Sequence, residues 1–168
     1  MTRQRTADAE PRTLYVHRPV KNAAELIAWA RSQGFDDTLK AEDLHVTIAF
    51  SRKPVDWFSI PTWGADEDIE IKGGPRLVEP LGDKGAIVLK IASDRLKYRH
   101  EEFLAKGASW DWPGFQPHVT ITYRGTTVDL GGVDPYQGDI ILGPEVYSEV
   151  DEDWASKAQT DHITTDHL

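Results

Sequence analysis

The sequence predicts an α+β domain built of two matching halves, and three observations lead there. A Val- or Ile-rich strand, an amphipathic helix and a buried strand opening His-Val-Thr-Ile follow one another twice. Val16 to His45 and Leu89 to His118 are both 29 residues, an equality of spacing that reads as internal duplication. At 168 residues the chain is long enough for one core, whereas two independent halves would each be marginal.

The elements follow in order. Arg12 to Arg18 alternates and is rich in Val and Tyr, which predicts a first strand. Asn22 and Glu25 stand three apart in the manner of a capping box, opening a helix with Leu26, Ile27 and Ala30 on one stripe and Gly34 as its stop. Leu44 to Phe50, LHVTIAF, reads as a buried strand. In the second half, Gly82-Asp83-Lys84-Gly85 predicts a hairpin turn between Arg76–Leu81 and Ala86–Ala92. Ser93 or Asp94 caps a helix that runs to about Lys106 and ends at Gly107, with Leu96, Phe103 and Leu104 inward. After a loop holding Trp110 and Trp112, read as packed, comes the strand His118 to Tyr123. Asp139 to Val150 is a last strand or strand pair broken at Gly143-Pro144. The expected organisation is a flexible start over 1–11, a single domain of two lobes over 12–154, and a polar tail over 155–168.

Composition narrows the chemistry. The chain has no Cys, so disulfides, thiolate zinc sites and thiol nucleophiles are excluded. Its six histidines offer no i, i+4 pair, and the acidic stretch at 151–153 has no calcium-loop pattern; no metal or other cofactor is expected. Neither a signal peptide nor an apolar run of spanning length is seen, so the expectation is a soluble, cytoplasmic protein without a membrane partner. The net charge of −9 is uneven. Residues 126–168 hold ten acidic side chains against Lys157 alone, leaving eighteen of each sign in 1–125. A body without net positive charge is unsuited to duplex nucleic acid, yet a small phosphorylated ligand stays open.

The chemistry sits in the two motifs. In His45-Val46-Thr47 and His118-Val119-Thr120, residues i and i+2 share one face of a strand. An imidazole moves protons near neutral pH, and a Thr hydroxyl hydrogen-bonds a nonbridging phosphate oxygen. Two such pairs about an approximate twofold would set a base and an acid on either side of one phosphorus. About half of one His-x-Thr match is expected by chance in such a composition, so a single match means little. His162-Ile163-Thr164 is such a match, with no apolar strand after it. The other two are both HVTI, with Phe50 or Tyr123 two residues on.

Two HxTx motifs, each with an aromatic two residues on, set on a duplicated strand-helix-strand frame resemble the 2H phosphoesterase superfamily. The segments LYVHRPVKNAAELIAWARSQG, DLHVTIAFSRKPVDW, FQPHVTITYRG and EVYSEVDEDW are similar to the phage anti-CBASS cyclic-oligonucleotide phosphodiesterases. The resemblance implies two pseudo-symmetric lobes, each a small antiparallel sheet backed by helix, around a central cleft. It implies His45, Thr47, His118 and Thr120 as catalytic residues of a metal-independent hydrolase opening cyclic di- or trinucleotide immune signals to linear products. It further implies substrate contacts at Tyr15, which packing of the sheet explains equally well, and at Glu149 and Trp154 in the closing segment. Two alternatives stay open: a 2H enzyme opening 2',3'-cyclic phosphates on RNA ends, and a cyclic-nucleotide sponge that does not cut. Oligomeric state and the division of base and acid between the histidines are not readable.

Overall fold

The computed structural model describes residues 10–125 and 127–151. Most of the expected flexible start, the whole polar tail, Trp154 and His162 lie outside them. In chain order the elements are β1 (Arg12–Pro19), α1 (Ala23–Ser32), β2 (His45–Val55), β3 (Ile69–Ile71), β4 (Arg76–Pro80), β5 (Ile87–Ile91), α2 (Asp94–Ala105), β6 (His118–Thr122), β7 (Ile140–Leu142) and β8 (Val146–Ser148). They form antiparallel sheets in the orders β2-β1-β8 and β4-β5-β6, with β3 and β7 as a two-stranded ribbon. Each larger sheet carries one HVTI motif.

Both helices bury most of the stripe that their periodicity marks. Leu26 and Ala30 of α1, and Leu96 and Phe103 of α2, join Leu14, Val16, Val46, Ile48, Leu89, Val119 and Ile121 in one apolar core shared by the halves. Each fully buried Leu, Ile or Phe among them contributes roughly 1.5–3 kcal/mol of transfer free energy. Ser93 caps α2 by accepting from the Leu96 amide at 3.2 Å. Gly34, Gly82, Gly85 and Gly107 all take positive φ, which ends both helices and closes the β4–β5 hairpin where Gly was read to do so.

Four details differ from expectation. The Asn22 side chain caps nothing at the head of α1. It donates to the Asp139 carbonyl at 2.8 Å and accepts from the Ile141 amide at 3.0 Å, tying the helix to β7. Leu104 is 40% exposed, and the polar Arg99 and His100 are buried on α2 instead. They can be, because each has a partner: Arg99 forks onto Glu145 at 2.8 and 2.9 Å, and His100 meets the Ile48 carbonyl at 2.7 Å. The Asp139–Val150 segment does split near Gly143, but its two strands enter different sheets. Lastly, equal spacing is not equal register. His45 is paired with Pro19 and His118 with Lys90, so Val16 and Leu89 are not equivalent positions.

Candidate active site

The first motif lies on a face laid out by cross-strand pairs. Pro19 is opposite His45, His17 opposite Thr47, and Tyr15 opposite Phe50. Strict alternation would turn Phe50 away from the face of Thr47, three residues earlier. A bulge corrects this: Val16 pairs with Ala49 and His17 with Thr47, leaving Ile48 as the extra residue. The second motif repeats the device, since Ile87 pairs with Thr122 and Val88 with Thr120, leaving out Ile121. The His-x-Thr-x-x-aromatic spacing is thus the spacing of a bulged strand.

The two bulges also join the halves. The Ile48 carbonyl accepts from His100 of α2, and the Ile121 carbonyl accepts from the Leu39 amide, in the segment after α1, at 2.9 Å. Each motif strand is therefore held by the opposite half, and β2 and β6 pack against one another. Thr47 and Thr120 are both buried, whereas His45 and His118 are partly exposed.

Both imidazoles are oriented in the same way. His45 Nδ1 lies 2.8 Å from the Asp43 carbonyl and His118 Nδ1 lies 2.9 Å from the Gln116 carbonyl, in each case two residues upstream. A carbonyl only accepts, so Nδ1 carries the hydrogen in both rings. Nε2 is then the atom left for proton transfer. Burial lowers the pKa of His45, opposed by its bond to the Asp43 carbonyl and by the Asp43 carboxylate. A largely neutral imidazole at pH 7 follows, with a lone pair on Nε2.

Of the proposed substrate contacts, Tyr15 stands on the same face as the first motif, stacked on His17 at 5.1 Å and edge-on to Phe50 at 6.0 Å. Burial raises its pKa, with Thr47 pulling the other way. Glu149 is exposed just after β8, and Trp154 lies outside the described residues. Trp110 and Trp112 pack on each other at 4.7 Å, Trp112 reaching Phe50 and Trp110 reaching His100, as a packed loop should. Burial raises the pKa of Tyr123, with Tyr15 and Asp43 acting in the same direction.

One residue escaped the reading of the sequence. His17 meets the His45 ring edge-on at 5.3 Å. Its signal was the i, i+2 relation to Tyr15, which means little until β1 is set in register with β2. Among the described residues no three His, Asp or Glu side chains gather as a metal-binding group. No described helix is long and apolar enough to cross a membrane. A cavity of about 430 Å³ lies elsewhere, against Arg18, Arg95 and Arg99, behind β1 from His17.

The family model described as anti-CBASS protein Acb1 matches residues 12–157, both motifs included. The chain belongs to the anti-CBASS Acb1 family. An Acb1 protein of Sphingomonas paeninsulae is 54% identical over 88% of this chain, and one of Caulobacter sp. (strain RHG1) is 53% identical over 92%. This chain spans only about a quarter of the length of those two relatives, 24% and 25%. Acb1 of Escherichia phage RB16 is 31% identical over 77% of this chain and 75% of its own length. Among solved structures, a phosphoesterase matches with a TM-score of 0.54 at 12% identity, over 84% of this chain and 96% of its own. Escherichia coli LigT complexed with phosphate matches with a TM-score of 0.53 at 15% identity, over the same shares. At such identities the likeness is one of fold: this chain has the two-lobed α+β fold of the 2H phosphoesterases.

Proposed function

We propose that this chain is a phosphodiesterase that opens cyclic di- or trinucleotides to linear products, with His45, Thr47, His118 and Thr120 as its catalytic set. The observation that carries the reading is the matching Nδ1–carbonyl bond in both motifs, which turns Nε2 of each histidine to proton transfer. A ribose hydroxyl beside the linkage attacks phosphorus and gives its proton to Nε2 of neutral His45. The bond from phosphorus to the leaving oxygen breaks, and His118 supplies the proton that oxygen needs. The attacked phosphate becomes a cyclic phosphate on a chain now linear. The Thr47 and Thr120 hydroxyls bond the nonbridging oxygens, where negative charge is greatest in the transition state. Family membership supports the substrate class: cyclic nucleotide signals of bacterial CBASS defence, whose removal spares an invading phage in the host cytoplasm. Tyr15, Glu149 and Trp154 are proposed to meet the nucleobases.

The test is incubation of the protein in EDTA with cyclic diadenylate, cyclic triadenylate and an RNA ending in a 2',3'-cyclic phosphate, with products separated by chromatography. Linear products from a cyclic oligonucleotide are expected. Tight binding without cleavage would make the chain a sponge, and cleavage of the RNA end alone would make it an RNA-processing enzyme.

A further inference from the structure

His17 occupies the centre of the first-motif face and takes no part in the mechanism above. It pairs across the sheet with Thr47 and sits between Tyr15 on one side, at 5.1 Å, and His45 on the other, at 5.3 Å. On β8, Val146 is its opposite number and is 43% exposed. Three successive levels of the sheet therefore carry different chemistry: His45 for proton transfer, Thr47 with His17 in the middle, and Tyr15 with Phe50 beyond.

Successive levels on one strand are about 7 Å apart, two residues of extended chain. A phosphate bonded to Thr47 thus has His17 as its neighbour across the strand pair, with the aromatic Tyr15 one level further. The group nearest a nucleotide's phosphate is its sugar, and the base lies farther out. His17 Nδ1 is buried with no hydrogen-bond partner among the described residues, although the ring itself is only half-buried. A nitrogen closed to solvent is closed to a ligand too, so contact with substrate falls to the exposed part of the half-buried ring, which carries Nε2.

We infer that His17 is a substrate-contacting residue that hydrogen-bonds a sugar hydroxyl beside the scissile phosphate. This rests on the proposed cyclic oligonucleotide reading. Burial, and next repulsion from His45 when it is protonated, hold the His17 pKa down to about 4, so the ring meets substrate uncharged, the nitrogen it presents a donor or an acceptor according to the tautomer. It suits a hydroxyl, which both gives and takes a hydrogen bond, better than a phosphate oxygen, which only accepts.

The experiment compares His17→Phe, which keeps the stacked ring and removes both nitrogens, with His17→Gln, which keeps a donor and an acceptor and loses the ring. Steady-state kinetics are taken on cyclic diadenylate and cyclic triadenylate. Calorimetric Kd values for the same ligands are taken in a His118→Ala background. Loss of one uncharged hydrogen bond predicts KM and Kd about 10-fold higher for His17→Phe, with kcat affected less than KM, and partial recovery in His17→Gln. Unchanged KM and Kd in His17→Phe would overturn the inference, as would a His17→Gln protein no better than His17→Phe, which would leave the ring a packing role only. Failure of the wild-type protein to cut or bind either ligand would instead overturn the substrate reading.

Discussion

His100, on the helix of the second half, donates from Nδ1 to the carbonyl of Ile48, the bulged residue of the first motif strand, at 2.7 Å. The ring is fixed around that bond, stacked on Phe115 at 4.1 Å and edge-on to Trp110 at 4.6 Å. Burial lowers its pKa, so a neutral His100 holds the bulge that sets Thr47 and Phe50 on one face. His100→Phe keeps the aromatic packing and strands the Ile48 carbonyl. A loss of about 1–3 kcal/mol is expected by denaturant unfolding, together with a fall in turnover. Wild-type stability in this variant would show that the bond does not hold the bulge.

Glu145 is the anion of a buried cluster. Its side chain is 1% exposed, takes two hydrogen bonds from Arg99 and one from the Tyr147 hydroxyl, and lies 3.8 Å from Arg18. Arg18 in turn donates to the Glu67, Gly143 and Gly64 carbonyls, so the cluster ties β1, α2 and the 61–68 connection together. Glu145→Gln leaves the buried Arg18 without its ion-pair partner and Arg99 with only the half-exposed Glu102 at 3.1 Å. The expected cost is about 3–5 kcal/mol by chemical denaturation, with the His motifs' geometry affected only through the fold. A cost below about 1 kcal/mol would mean that the cluster is solvated.

Stability should fall with acid in a window set by His17. Its pKa is about 4 in the folded chain against an ordinary value near 6.5. Between those values the unfolded chain binds the proton and the folded chain does not. Lowering the pH from about 6.5 to 4 therefore favours unfolding, and the effect levels off below that. His45 and His100, also lowered by burial, act in the same direction. Thermal melting from pH 7.5 to 4 should show a shallower decline for His17→Phe than for wild type. Identical slopes would remove His17 from the titration.

Much of the frame was legible because it rests on local rules. Strand alternation, the Ser93 cap, the Gly34 and Gly107 stops and the hairpin at Gly82–Gly85 need only near neighbours in sequence. So does the pairing of His with Thr two residues on. What escaped depends on pairing between distant segments. The bulges at Ile48 and Ile121 are set by register, which also undoes the equivalence of Val16 with Leu89. Asn22 looked like a cap because its spacing to Glu25 is that of one, but β7 supplies better partners. Arg99 and His100 are polar and carry no inward signal of their own; Glu145 and the Ile48 carbonyl bring them in. β3 has three residues, too few for any period. His17 joins the face of the first motif only when β2 is laid beside β1.

The proposed chemistry assigns every proton transfer to imidazole. Dialysis against EDTA should therefore leave turnover of a cyclic oligonucleotide within about twofold. Loss of activity on chelation, with recovery on adding Mg²⁺ or Mn²⁺, would contradict it.

The central claim is that His45 and His118 act as one unit, the first as base and the second as acid. Turnover of a cyclic oligonucleotide by His45→Ala, His118→Ala and the double variant, each verified as folded by circular dichroism, tests it most directly. Each single variant should lose about 10²-fold or more, and the double should be little worse than the worse single. Wild type should show a bell-shaped pH profile that neither single variant retains. Near wild-type turnover in either single variant would make that histidine a packed strand residue and contradict the account.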